Sequence, residues 1–318
     1  MPKIGYALSS EEHAAEDLVA FAAAAEQTGF DFLMISDHYH PWIDRQGQSP
    51  FVWGVLGGIA QVTERIPIGT GVTCPIIRIH PAIVAQATAT AAALLPGRFW
   101  LGLGTGENLN EHIIGGPWPA GDARVEMLAE AIDVIRQLWS GEQTTHRGRY
   151  FTVEQARVYS LPEEPPPIYV AAKGERATEL AGENDGLIST VPDDDVVRRF
   201  AKAGGENKPR IGMLHVCWAA DEKTARKTAR KWWPNSALPG ELSVELRLPR
   251  HFEQASELVS EEDVCKELTC GPDPDRHLEA IRTYTDAGYD HVYVHQIGPD
   301  QRGFFAFYER EILPRFRN

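Results

Sequence analysis

Short apolar runs and helical stretches alternate along this chain, and no other feature narrows its fold as much. Lys3-Ile4-Gly5-Tyr6-Ala7-Leu8 reads as a strand, and Ser9-Ser10-Glu11-Glu12 predicts the start of a helix reaching about Gln27 and closed by Gly29. Strands over 31–35, 66–71 and 98–103 follow, with helices over 51–64, 81–95 and 122–139 between and after them. Residues 141–161 break the pattern and predict an inserted hairpin before Pro165-Pro166-Pro167. Strands over 168–172, 186–190, 210–218 and 291–295 complete a set of eight, separated by helices over 176–181, 193–203, 221–233, 261–268 and 274–287. Residues 234–260 show no clean period and read as a second insertion, and a helix over 302–316 ends the chain. Eight strands alternating with helices predict an α/β fold of the (β/α)8 TIM-barrel type, built as one domain over 1–318.

Bulk properties agree with a catalyst of small molecules. Hydrophobic content of 43% against 24% charged residues suits a large buried core. A formal net charge of -14 opposes nucleic acid or an anionic membrane as partner. The opening Met1-Pro2-Lys3-Ile4-Gly5-Tyr6 has no apolar signal segment, and no apolar run nears the roughly 18 residues that span a bilayer, so a cytoplasmic protein is expected. Cysteines at 74, 217, 265 and 270 lack CxxC spacing and predict neither zinc nor disulfides.

Barrel enzymes work at the C-terminal ends of their strands, so those ends are read together. The first leads to Glu11 and the second to Ser36-Asp37-His38-Tyr39-His40-Pro41-Trp42. The third leads to Gly71-Val72-Thr73-Cys74-Pro75, the fourth to Gly104-Thr105-Gly106-Glu107-Asn108-Leu109-Asn110, and the fifth to Ala171-Ala172-Lys173-Gly174. An acid, histidines and a tryptophan at one strand end suit proton transfer beside a flat, conjugated ligand. The glycines at 102, 104 and 106 fail the dinucleotide fingerprint, which needs glycine where Glu107 stands, and fit better as a strand-end ligand loop that lets the backbone approach a ligand. Glu107 reads either as a ligand-facing acid or as a helix-start acid favoured by the dipole. His38 and His40 also have the spacing of a metal pair, with His215, His291 and His295 available from later strands, but Pro41 and Trp42 crowd them and no metal is expected.

These residues resemble the coenzyme F420-dependent dehydrogenases of the luciferase-like barrel family. The resemblance rests on DHxxPW at 37–42, Thr73-Cys74-Pro75 with Pro81 to Gln86, GxGTGExLNE at 102–111, and Arg136 to Gly141. It implies hydride transfer between an alcohol, sugar or sugar-phosphate hydroxyl carbon and F420, whose ring would lie near Asp37, His38, Trp42, Glu107 and Asn110. It implies a cis peptide at Gly71-Val72, with Cys74, Gly106, Ala171, Ala172, Lys173 and Gly174 completing the cofactor site. His38 would act as base, Glu107 would handle the proton at the ring, Trp42 would stack near the reacting carbon, and Glu11 would hydrogen-bond the base or substrate. Together with the apolar helices over 51–59 and 82–95, it further implies a homodimer. Where sugar-phosphate relatives carry lysine, this chain has Thr190-Val191-Pro192-Asp193 and Gln254, which weighs against a phosphorylated substrate. Two rivals remain, an FMN-dependent monooxygenase on the same barrel and a metal-dependent barrel hydrolase.

Overall fold

Closure of the sheet explains the pattern of apolar runs. The computed structural model describes residues 1–317. Its barrel strands, numbered here first to eighth in chain order, are Lys3–Leu8, Phe32–Ile35, Ile68–Thr70, Phe99–Leu103, Ile168–Ala171, Gly186–Ser189, Arg210–Cys217 and His291–Gln296. Each pairs in parallel with the next, as Gly5 with Phe32 and Leu101 with Ile168. The first strand pairs with the eighth through Lys3 and His291, and the sheet closes with no edge left open between Leu187 and Arg210. The fold is a (β/α)8 barrel. Strands buried on both faces need apolar side chains in both directions, hence continuous runs such as Phe32-Leu33-Met34-Ile35.

Alternate residues divide the core in two. Ile4, Tyr6 and Leu8 face outward onto the helices, whereas Ala7, Phe32, Met34, Trp100, Ile188, Ile211 and Tyr293 fill the barrel. Aromatic rings fit inside only because glycines stand opposite. A Cβ on Gly69 would lie 1.8 Å from the Trp100 indole nitrogen, and one on Gly5 would lie 2.6 Å from the Phe32 ring. Gly102, read above as part of a glycine-rich ligand loop, serves packing instead: its Cβ would sit 1.9 Å from the Thr70 carbonyl oxygen.

The inserted hairpin pairs Thr144–Arg147 with Thr152–Ala156. The Glu130 carboxylate pins its turn by accepting the backbone N–H groups of Arg149, Tyr150 and Phe151. The second insertion is helical, with short segments at Pro234–Ala237, Leu242–Glu245 and Pro249–Ser256. Its buried Phe252 joins Ile43 and Leu109, so it walls one side of the barrel mouth.

Two readings need correction. The first helix begins at Ala15, not Ser9, because the serines that resemble caps bond sideways: Ser10 N–H donates to Ser36 Oγ at 2.9 Å and Ser10 Oγ to the Ser36 carbonyl at 2.8 Å. A two-residue strand, Thr269–Cys270, runs beside Val216 and Cys217, too short to leave a periodic trace.

The packing at the third and fourth strands yields a test. Gly102→Ala should lower stability by about 1–3 kcal/mol or more, since the added methyl meets backbone that cannot swing aside. A urea midpoint equal to wild type would show that the strand pair has slack the packing does not suggest.

Candidate active site

Four buried carboxylates organise the mouth, and each is satisfied by a donor from a neighbouring loop. Glu11 follows the first strand and is buried. Its Oε2 accepts the hydroxyls of Ser9 at 2.9 Å and Ser36 at 2.7 Å, and its Oε1 lies 3.4 Å from His38 Nε2. Burial works to raise the Glu11 carboxyl, but the His38 charge and the Ser36 hydroxyl outweigh it and hold its pKa below the ordinary 4.5. The other ring nitrogen of His38, Nδ1, is 3.2 Å from the His40 carbonyl. A carbonyl only accepts, so Nδ1 carries a hydrogen, and Nε2, beside the Glu11 carboxylate, is where the ring gains or loses its second. Trp42 stands beside this imidazole with ring centroids 5.0 Å apart and is itself backed by Phe252 at 5.3 Å.

Asp37 lies deeper. Its carboxylate accepts the Thr73 hydroxyl at 2.8 Å and Arg78 Nη2 at 3.0 Å, so it braces the loops after the second and third strands. Arg78 also donates its backbone N–H to Glu111 at 2.7 Å. Burial pushes the Glu111 carboxyl up to about 7, against the donors of Arg78 and with the Glu107 charge adding to the rise. Arg78 was not singled out from sequence. The available signal was a cation set among Ile76, Ile77 and Ile79, where only a buried acid can hold it.

Glu107 precedes the short helix Asn108–Glu111 at its N-cap position, yet its side chain makes no capping bond. Glu107 thus stands at the helix start, as one reading expected, but its carboxylate does not cap the helix. Asn110 holds it instead: Nδ2 donates to Glu107 Oε2 at 3.3 Å, while Asn110 Oδ1 accepts the N–H groups of Tyr39 at 2.9 Å and His40 at 3.1 Å. One amide thus sets the Glu107 loop against the His38 loop.

His38 and His40 do not converge as a pair. His40 Nδ1 meets the Leu109 carbonyl at 2.9 Å, and its ring stacks on His112 at 5.6 Å. His215 and His295 instead contact each other, joined to Glu12, which sequence reading had passed over as a helix residue.

The remaining expected residues line the ends of the third, fourth and fifth strands. The Gly71-Val72 peptide is cis. Gly104 and Gly106 leave no room for side chains, since a Cβ on the first would meet Val72 Cγ2 at 2.7 Å and one on the second Cys74 Sγ at 2.5 Å. Gly106 also has φ +70°, which suits glycine. Val72 and Ala171 are half-buried and apolar, Cys74 and Ala172 are buried, Lys173 is exposed, and a Cβ on Gly174 would meet only open space. Close-approach backbone, two small apolar walls and a carboxylate fit a flat ring with a titrating edge.

A barrel with its polar groups gathered at these strand ends defines a class, and sequence comparison places the chain within it. The family model for luciferase-like monooxygenases matches residues 1–291, and the chain belongs to this family. An F420-dependent glucose-6-phosphate dehydrogenase of Beutenbergia cavernae is 37% identical over 330 residues, covering 100% of this chain and 98% of the relative. A protein of the same description from Microbacterium testaceum is also 37% identical, over 99% and 97% of the two chains. An F420-dependent secondary alcohol dehydrogenase, solved in complex with an F420-acetone adduct, superposes with a TM-score of 0.92 at 28% identity, over 100% of this chain and 99% of that one.

The lowered pKa of Glu11 sets a pH test. An acid whose folded value lies below its ordinary one contributes stability that is complete above about 4.5 and lost as pH falls through the folded value. Glu11→Gln should therefore depress the urea midpoint most near neutral pH, with the gap to wild type closing on acidification below 4.5. A gap independent of pH would mean that the Glu11 charge contributes nothing.

Proposed function

We propose that this chain is a dehydrogenase that uses coenzyme F420 to move hydride between the deazaflavin and the hydroxyl carbon of an alcohol or sugar. The observation that carries it is His38, held with Nε2 toward Glu11 at the same mouth as Glu107, which Asn110 orients. The relatives and the solved neighbour named above carry F420-dependent activities in their descriptions, which supports this cofactor over FMN. When bound, F420 supplies a carbon that exchanges hydride, and the protons are left to the protein. His38 takes the substrate hydroxyl proton at Nε2, and Glu11 stabilises the imidazolium that results. Asn110 occupies Oε2 of Glu107, so Oε1 exchanges the proton beside the ring. Trp42 packs against His38 and limits how the reacting carbon can tilt. Val72, Ala171 and the backbone at Gly71, Gly106 and Ala172 would flank the ring. Lys173, exposed and in no ion pair among the described residues, would hold the anionic tail together with the backbone at Gly174.

The substrate on this reading is uncharged. The resemblance sets Asp193 and Gln254 where sugar-phosphate relatives carry lysine; Asp193 caps the helix Asp194–Phe200 by accepting the N–H of Asp195 at 2.8 Å, and Gln254 is exposed. Glucose should show the higher kcat/KM beside glucose 6-phosphate, and the reverse order would sink this assignment. We further place the enzyme in the cytoplasm as a homodimer. Phe51, Val62, Ile83 and Leu94 are 44–61% exposed on or beside the second and third helices, an apolar set suited to a second copy. Sedimentation at micromolar concentration showing only a 35.3 kDa species would rule the dimer out.

The role of the base is tested by kinetics. His38→Ala should lower kcat about a hundredfold or more with F420 affinity kept within a few-fold. Glu107→Gln should also slow turnover, because an amide cannot exchange the proton. Near wild-type kcat in His38→Ala would remove it from the reaction.

A further inference from the structure

Across the mouth lies a second acid–imidazole chain that the proposed reaction does not use. His215 and His295 stand opposite each other on the seventh and eighth strands. They lie two residues beyond Met213 and Tyr293, which face the barrel interior, so both imidazoles project inward at the mouth. Their Nδ1 atoms are 2.9 Å apart. His295 Nε2 is 2.9 Å from Glu12 Oε2, and Glu12 Oε1 accepts the Gly298 N–H at 3.0 Å. Trp233 packs against both rings, with centroids at 4.5 Å from His295 and 5.9 Å from His215. Glu12 adjoins Glu11, so His215, His295, Glu12, Glu11 and His38 form an arc over four neighbouring strands.

The hydrogen positions along this chain follow from its acidic end. An ionised Glu12 only accepts, so His295 Nε2 carries a hydrogen. With one hydrogen on His295, its Nδ1 is bare, and the contact between the two Nδ1 atoms then takes its hydrogen from His215. His215 Nε2 is left with a lone pair. That atom has no hydrogen-bond partner among the described residues, and His215 is half-buried. Burial, with His295 alongside, pushes the His215 imidazole down to about 3, which keeps it neutral.

We propose that His215 accepts a hydrogen bond at Nε2 from a second hydroxyl of the substrate, its acceptor state fixed by Glu12 through His295, so that the enzyme favours diols and sugars over simple alcohols. This rests on the mouth oxidising alcohols with F420. A site that accepts a hydroxyl favours the substrate carrying it, because the analogue lacking it leaves the half-buried acceptor short of a hydrogen bond.

Isopropanol and propylene glycol differ by one hydroxyl and serve as the probe pair, each with saturating F420. His215→Leu should lower the ratio of kcat/KM for propylene glycol over isopropanol about tenfold, and His215→Gln, whose amide oxygen can accept, should restore most of it. Nitrogen NMR of the apoprotein supplies a readout independent of turnover: wild-type His215 should be protonated at Nδ1 and bare at Nε2. Glu12→Gln, which can donate to His295 Nε2, should reverse both tautomers. An unchanged substrate ratio in His215→Gln and His215→Leu, or a wild-type His215 protonated at Nε2, would overturn the proposal. Should His215→Leu fail to fold, His215→Met, which offers only a weak thioether acceptor, takes its place with the same fall in ratio expected. No turnover of either alcohol by wild type would overturn the dehydrogenase reading and this proposal with it, whereas turnover of both with an unchanged ratio overturns only the proposal.

Discussion

A carboxylate taken out of water must find a partner or lose its charge, and the mouth of this barrel is assembled around that requirement. Glu11, Glu12, Asp37 and Glu111 are all buried, and their partners come from other strand ends: His38 and Ser36, His295, Thr73 with Arg78, and Arg78 again. The bonds serve two purposes at once. They fasten loops that the parallel sheet only brings near each other, and they fix the orientation of the imidazoles on which proton transfer depends. Asn110 does the same work with a neutral amide, linking the loop of His38 to the carboxylate of Glu107.

The barrel was legible because its constraint is periodic. Strands buried on both faces must be apolar throughout, and the helices between them must carry one apolar face, so runs such as Phe99–Leu103 announce themselves. The strand ends were legible for a related reason: a polar residue or glycine where an apolar run stops marks the rim. What sequence could not show was the partner of each rim residue. Ser9 and Ser10 have the composition of helix caps, and only the position of Ser36 across the sheet explains why they bond sideways. Gly102 reads as a ligand-loop glycine until Thr70 is placed against it. Arg78, Glu12 and the pairing of His215 with His295 are long-range facts, since 80 residues separate the two histidines along the chain.

The luciferase-like barrel supports more than one chemistry, so the fold leaves open which reaction runs at its mouth. The distinction rests on the residues. A hydride transfer from an alcohol needs a base for the hydroxyl proton and an acid near the ring, the roles proposed for His38 and Glu107. The substrate readings proposed for Asp193, Gln254 and His215 do not alter that assignment.

The most direct measurement is cofactor binding coupled to reduction. Purified protein is titrated separately with F420 and FMN, and the F420 complex is then mixed with isopropanol or glucose without oxygen while the absorbance of oxidised F420 is followed. The reading given above requires F420 to bind, FMN to bind far more weakly, and the absorbance to fall on addition of alcohol. Tight FMN binding with no affinity for F420 would contradict it.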